Sequence, residues 1–231
     1  MKQILPGLHF ITGLPVGRVY VIEDPDGLTL IDASISGVAN TILSQVKGLG
    51  RSAREVKRIL ITHAHPDHVG SLRELKQATG AQVAASAIEQ PVIEGQIPVP
   101  RVDPAKLKGL FKFRPPRTVM KATPVDHPLR GGETLDCMGG LQAVFTPGHA
   151  PGHLAFWQPQ KRILFCGDVL FNAPKFGLPP AFLTVDMDEN KRSIRKLAEL
   201  GPEVVCFGHG DPLTQNAAQT LTAFARQIGW L

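Results

Sequence analysis

Ile59-Leu60-Ile61-Thr62-His63-Ala64-His65-Pro66-Asp67-His68 gathers three of the chain's eight histidines and one carboxylate into six positions. The apolar lead-in reads as a buried strand, and Pro66 stops that strand from continuing. Neutral imidazole is the commonest protein ligand for transition metals, and carboxylate oxygen completes such sites. A tight turn after a strand aims alternate side chains into one space. His63 and His65 then reach one metal, and Asp67 with His68 reach a second beside it. The plain alternative is a histidine-rich surface loop, which asks nothing of the rest of the chain.

The flanks of this stretch alternate between strand and helix patterns. Upstream, residues 8–11 and 19–22 read as short strands separated by Gly13, Pro15 and Gly17. Asp24-Pro25-Asp26-Gly27 reads as a hairpin turn into a strand at 28–31. Asp32 follows directly, in the place of a strand-end turn residue. Val38, Ile42, Leu43, Val46 and Leu49 keep a helical period. Downstream, Ser71 and Glu74 have the spacing of a capping box, Gly80 ends that helix, and residues 82–86 read as another strand. The alternation predicts an α/β fold.

Residues 87–128 break the rhythm. Proline recurs at 91, 98, 100, 104, 115, 116, 124 and 128, and Leu107, Leu110, Phe111 and Phe113 stand among basic residues. Long irregular insertions are lids, binding loops or linkers, and these large apolar residues favour a cap beside a site. Such a cap is expected to govern substrate choice through Phe111 and Phe113. His127 is left out as a ligand. Beyond the insertion, a strand at 141–145 ends near His149, with His153 four residues later. Residues 154–157 and 162–166 read as an antiparallel pair that delivers Gly167-Asp168. Residues 171–183 are assigned to a pocket rim or a subunit contact. Asp186 and Glu189 resemble a capping box for a helix that Gly201-Pro202 ends. A strand at 204–207 delivers His209, and residues 216–228 form a closing helix.

The 231-residue chain has 43% hydrophobic and 19% charged residues, which suits one globular domain. It has no apolar run long enough to span a membrane and no signal-peptide core at its start, so the cytoplasm is the expected compartment. Cys137, Cys166 and Cys206 make no CxxC pair, which argues against both a thiolate zinc site and a disulfide framework. They read as small buried residues. The net charge of +5 comes from scattered lysines and arginines, best explained as solvated faces, and no nucleic-acid partner is expected.

His63, His65, Asp67 and His68 fit the pattern His-x-His-x-Asp-His, and the chain resembles the metallo-β-lactamase superfamily. Thr146-Pro147-Gly148-His149, Gly167-Asp168 and Gly208-His209-Gly210 match the superfamily's later motifs in order. The resemblance implies a four-layer αββα sandwich over residues 1–231, with the cap at about 87–128. It implies that His63, His65 and His149 hold one divalent ion, that Asp67, His68 and His209 hold another, and that Asp168 bridges. His153 is expected to pack or hydrogen-bond behind the ligands, and in the resembling family an Asp at the place of Asp32 commonly supports them, the alternative to a plain turn residue. Zinc is the first choice, and iron and manganese accept the same donors. The implied chemistry is attack by a metal-bridging hydroxide, with Asp67 as the catalytic carboxylate.

Departures from the pattern narrow the substrate. The zinc β-lactamases usually lack the bridging Asp, and one subgroup carries Cys there. The resemblance therefore points to the hydroxyacylglutathione hydrolase and lactonase side. Hydroxyacylglutathione hydrolases add a C-terminal helical domain, whereas about one helix follows His209 here. Acyl-homoserine lactonases carry a tyrosine shortly after the bridging Asp, where this chain has Phe171. Three classes stay open: a hydrolase of small esters, thioesters or lactones, a phosphodiester hydrolase or nuclease, and a metal-binding protein without catalysis. The first leads, with a small-molecule substrate and a homodimer left open.

Overall fold

Alternating apolar side chains divide the strands between three cores, and that division sets the layers. The computed structural model describes residues 1–107 and 120–229. Strands β1 (Lys2–Leu5), β2 (Leu8–Phe10), β3 (Tyr20–Asp24), β4 (Gly27–Ile31), β5 (Val56–Leu60), β6 (Gln82–Ser86) and β7 (His127–Leu129) form one seven-stranded sheet in that order. The first four pair antiparallel, and β4 to β7 run parallel. A second sheet holds β8 (Thr134–Leu135), β9 (Leu141–Phe145), β10 (Leu154–Gln158), β11 (Ile163–Gly167) and β14 (Val204–Phe207), with β11 and β14 parallel. Two short strands, β12 (Phe171–Asn172) and β13 (Phe176–Gly177), make a small separate ribbon.

Leu30, Ile59 and Val83 pack with Ile42 and Val46 of helix α1 (Ala39–Gly48) and with Leu72 and Leu75 further on. Their neighbours Ile31, Leu60 and Ala84 point the other way, onto Phe156, Phe165 and Cys206 of the second sheet. Leu164, Cys166, Val205 and Phe207 face outward again, onto the last two helices. This strict period of two gives helix, sheet, sheet and helix layers, the expected αββα sandwich. The remaining helices are α2 (Pro66–Val69), α3 (Leu72–Thr79), α4 (Gln90–Ile93), α5 (Met187–Glu199) and α6 (Ala217–Gln227). Among the described residues, no helix is long and apolar enough to cross a membrane. All three cysteines are free and buried.

Some local expectations need correction. Ser71 does not cap α3 with its side chain. Its hydroxyl donates to the Ile35 carbonyl at 2.6 Å and accepts from Val38 N at 3.1 Å, holding the loop after β4 instead. Glu74 is drawn away to Lys121 at 3.0 Å. At α5 the Asp186 carboxylate does accept from Asp188 N and Glu189 N. The end of the 87–128 insertion belongs to the sheet, since His127 and Pro128 lie on β7 beside Ala84 and Ala85. Leu107 is buried, whereas Leu110, Phe111 and Phe113 lie outside the described residues.

The chain's only tyrosine ties the two sheets together. Tyr20 on β3 donates its buried hydroxyl to the Phe207 carbonyl on β14 at 2.7 Å. Tyr20→Phe leaves that acceptor short of a partner, and an unsatisfied buried polar group costs about 1–3 kcal/mol. Denaturant unfolding of the variant is expected to show a loss in that range, with metal content unchanged.

Candidate metal centre

Four strands end at the same edge of the sandwich, and each feeds the centre from its C-terminal end. This is where α/β sheets bind their ligands. β5 leads into His63, His65, Asp67 and His68, β9 into His149, β11 into Asp168, and β14 into His209. The edges of the two sheets are stitched together there. Leu154 N donates to Thr62 O at 2.8 Å, and Arg18 N, just before β3, donates to Gly208 O, just after β14, at 2.9 Å. The turn 145–149 is held from outside by α5. Ser193 Oγ donates to Pro147 O at 2.7 Å, and Asp186 N to Gly148 O at 2.8 Å.

All seven candidate ligands come together in two adjoining groups. His63, His65, His149 and Asp168 form one; Asp67, His68 and His209 form the other. Within each group the donor atoms lie within 4.8 Å of one another. His65 Nδ1 stands 3.0 Å from His63 Nε2 and 2.9 Å from His149 Nε2. Ligand nitrogens about 2.0–2.1 Å from a tetrahedral ion must themselves lie about 3.3 Å apart, so this convergence fits a shared cation. Asp168 stands between the groups. Its Oδ2 is 3.3 Å from His149 Nε2 and 3.2 Å from His209 Nε2, and its Oδ1 is 3.3 Å from His68 Nε2. His68 Nε2 and Asp168 Oδ1 are nevertheless buried without a hydrogen-bond partner. Buried polar atoms are ordinarily satisfied, and a cation between them would supply what these two lack. The nitrogen and oxygen donor set is that of a divalent-cation site.

The outward nitrogens fix the rings. Asp32, at φ 62, sends one carboxylate to two ligands. Its Oδ2 meets His68 Nδ1 at 2.8 Å, and both oxygens take the Thr62 hydroxyl, which in turn meets His63 Nδ1 at 3.1 Å. Asp32 is thus a support for the ligands as well as the turn after β4. His149 Nδ1 meets Thr184 Oγ1 at 3.3 Å. Such partners set the tautomer and aim the inner nitrogen. His153 stays outside both groups. Its Nε2 accepts Asp168 N at 3.1 Å and its Nδ1 meets Thr146 Oγ1 at 2.9 Å, so it supports the Asp168 backbone. Gly167 leaves room for it, because a Cβ there would sit 2.8 Å from His153 Cε1.

Charge is distributed unevenly. Burial holds His63 and His149 well below the usual histidine range and brings His65 down to about 4, so these rings are neutral donors at pH 7. Burial also works against charge on His68, but Asp168, Asp32 and Asp67 outweigh it and raise its pKa well above the ordinary value. For Asp67, burial alone raises the pKa; His68 and the hydrogen bond from His209 reverse this and bring it to about 2. Its carboxylate is the more open of the two in the centre, with 26% of its side chain exposed against 3% for Asp168.

Sequence reasoning missed one contributor and placed another, Phe171, only at a pocket rim. Glu89, from the 87–128 insertion, accepts Ala64 N at 3.0 Å and Gly152 N at 2.7 Å. Nothing in its local sequence marks it, since its partners are 25 and 63 positions away. Phe171 stacks on His209, with ring centroids 4.4 Å apart. His127 is exposed on β7, outside both ligand groups.

A four-layer sandwich with histidine and aspartate clustered at its strand ends defines a class of metallo-hydrolases. The sequence profile of the metallo-β-lactamase superfamily matches residues 12–209, so the chain belongs to that superfamily, and it is a hydrolase of that kind. It is 30% identical to the probable metallo-hydrolase YflN of Bacillus subtilis, over 96% of this chain and 91% of the relative. It is 29% identical to the hydroxyacylglutathione hydrolase GloC of Haemophilus influenzae, over 92% of each chain. A metallo-β-lactamase family protein of Thermus thermophilus shares the fold with a TM-score of 0.72 at 24% identity, over 98% of this chain and 79% of that one.

Proposed function

We propose that this protein is a dinuclear-metal-dependent hydrolase of small carboxylic esters, thioesters or lactones. The observation that carries the reading is Asp168, a buried carboxylate within 3.3 Å of imidazole nitrogens from both ligand groups. His63, His65 and His149 would hold one divalent ion, Asp67, His68 and His209 the other, and Asp168 would bridge, with zinc the first choice of metal. Divalent ions there supply Lewis acidity and a nucleophile at neutral pH. The chain's own residues do the rest. Asp32 and Thr62 keep the ligand rings oriented. Asp67 remains ionised, so its carboxylate would orient the attacking oxygen, accept the proton that oxygen gives up, and hand it on to the leaving group.

The surroundings favour an uncharged acyl substrate over a phosphodiester. Among the described residues, Val16, Ile88, Ile97, Phe182 and Leu183 are exposed large apolar side chains. Ile88 adjoins Glu89, and Phe182 and Leu183 precede Thr184, the partner of His149. Apolar walls with few polar groups suit acyl chains. The basic residues of α5 are engaged elsewhere: Lys191, Arg192 and Arg195 pair with Asp188, Glu189 and Glu199 on the same helix, and Lys196 donates to the Phe145 carbonyl at 3.0 Å. A thioester stays among the candidates because GloC, named for that chemistry, is matched over 92% of its length. The chain would work as one domain, with the segment from residue 87 to the start of β7 as its cap.

Chelator treatment is expected to abolish turnover, and adding back about two equivalents of divalent ion to restore it. Elemental analysis and a panel of esters, thioesters, lactones and RNA check both points. Turnover of RNA alone would replace this reading with the nuclease one. Stable metal loading with no turnover of any class would leave a binding protein.

A further inference from the structure

We propose that Glu89 is a positioning residue for the metal centre, setting the distance between the turn that carries His63 and His65 and the loop that carries His149. The inference rests on the reading that these histidines hold a metal. Glu89 is 2% exposed, and its two carboxylate oxygens serve different loops. Oε2 accepts Ala64 N, the residue between the two histidines, at 3.0 Å. Oε1 accepts Gly152 N, three residues after His149, at 2.7 Å. The fit on the second side is tight. A Cβ on Gly152 would lie 2.7 Å from Ser86 Oγ and 2.9 Å from Glu89 Cγ, so the loop is seated directly on the turn that presents the carboxylate.

A carboxylate is the group this geometry requires. Both neighbours are backbone N–H donors, and an ionised carboxylate offers acceptors on both arms. Glutamine has one acceptor, so its NH2 must face one of the two N–H groups and release that loop. The Leu154 N to Thr62 O bond joins the same two segments on the β10 side, leaving Glu89 to fix the part nearest the histidines. Glu89 also ties the centre to the insertion. It precedes α4, whose Ile93 carbonyl accepts Thr123 N at 3.1 Å, and Glu94 accepts Val125 N at 3.3 Å. The insertion therefore acts on the metal ligands without providing one.

The test is zinc affinity of metal-free protein, measured by competition with a chromophoric chelator, together with the visible spectrum of the cobalt-substituted form. Glu89→Gln is expected to fold, to bind zinc about 10–100-fold more weakly at one site, and to show a shifted cobalt spectrum. Asp126→Asn is the control. Asp126 also accepts a backbone N–H, from Val83 at 2.7 Å, and pairs with Lys76 away from the centre. It should keep wild-type zinc affinity. If Glu89→Gln fails to fold, Glu89→Asp is read the same way, because its shorter arm keeps the charge but reaches one loop only. Wild-type affinity in the folded Glu89 variant overturns this inference alone. Wild-type protein that binds no zinc overturns the metal reading and this inference with it.

Discussion

Asp168→Ala is expected to lose most bound metal and to reduce kcat/KM by well over 100-fold. Groups behind the ligands cost about 10–100-fold in metal affinity or activity when removed, and Asp168 stands in front of them. Its carboxylate touches His68, His149 and His209, and it is the only carboxylate in the first ligand group. Without it, His63, His65 and His149 converge with nothing to balance a dication. Asp168→Asn keeps the shape but not the charge, and should fall between alanine and wild type in metal content. His127→Ala should match wild type, because His127 is exposed on β7 and belongs to neither ligand group. Elemental analysis and turnover on the ester panel check all three. Equal metal and turnover in Asp168→Ala and His127→Ala would show that Asp168 does not bridge.

The features written locally in the chain were legible from it. The strand–turn pattern from Ile59 to His68, the Asp24 to Gly27 hairpin and the left-handed Gly80 all form where short-range rules place them. Ile59 and Leu60 are both apolar and enter different cores, so the sequence marks the strand as buried without saying which face meets which layer. Distant partners were harder. Ser71 and Glu74 have capping-box spacing, yet Ile35, Val38 and Lys121 compete for them and win. Glu89 looks like an ordinary surface glutamate until the fold places it between Ala64 and Gly152. Tyr20 has no strand-level cue for its bond to Phe207, 187 positions away. Short-range rules carry no information about which loop arrives from the other sheet, and the supports of this centre are contacts of that kind.

Gly208→Ala is expected to empty the centre although it changes no ligand. Gly208 is not among the glycines with positive φ, so space rather than backbone freedom demands glycine here. A Cβ at this position would overlap Asp168 Oδ1 and lie 2.8 Å from His68 Cε1. Both of those residues carry a buried atom that lacks a hydrogen-bond partner, and they face each other across the two ligand groups. Neither can give way easily. His68 is pinned by Asp32 at 2.8 Å, and the Asp168 backbone by His153 at 3.1 Å. The β14 end is itself fixed by Gly208 N to Gly167 O and Arg18 N to Gly208 O, both at 2.9 Å. The added methyl must therefore turn the Asp168 carboxylate or spread the two strand ends, and either motion would break the bridge proposed above. Metal content and turnover should fall as far as in Asp168→Ala, while far-ultraviolet circular dichroism stays that of the folded protein. Gly48→Ala is the matched control. The same methyl at the end of α1 meets nothing within 4 Å, and should stabilise by about 0.4–1 kcal/mol with metal content unchanged. A Gly208→Ala protein that kept its metals would mean that the Asp168 carboxylate can turn away without loss, and the bridging assignment would then fail.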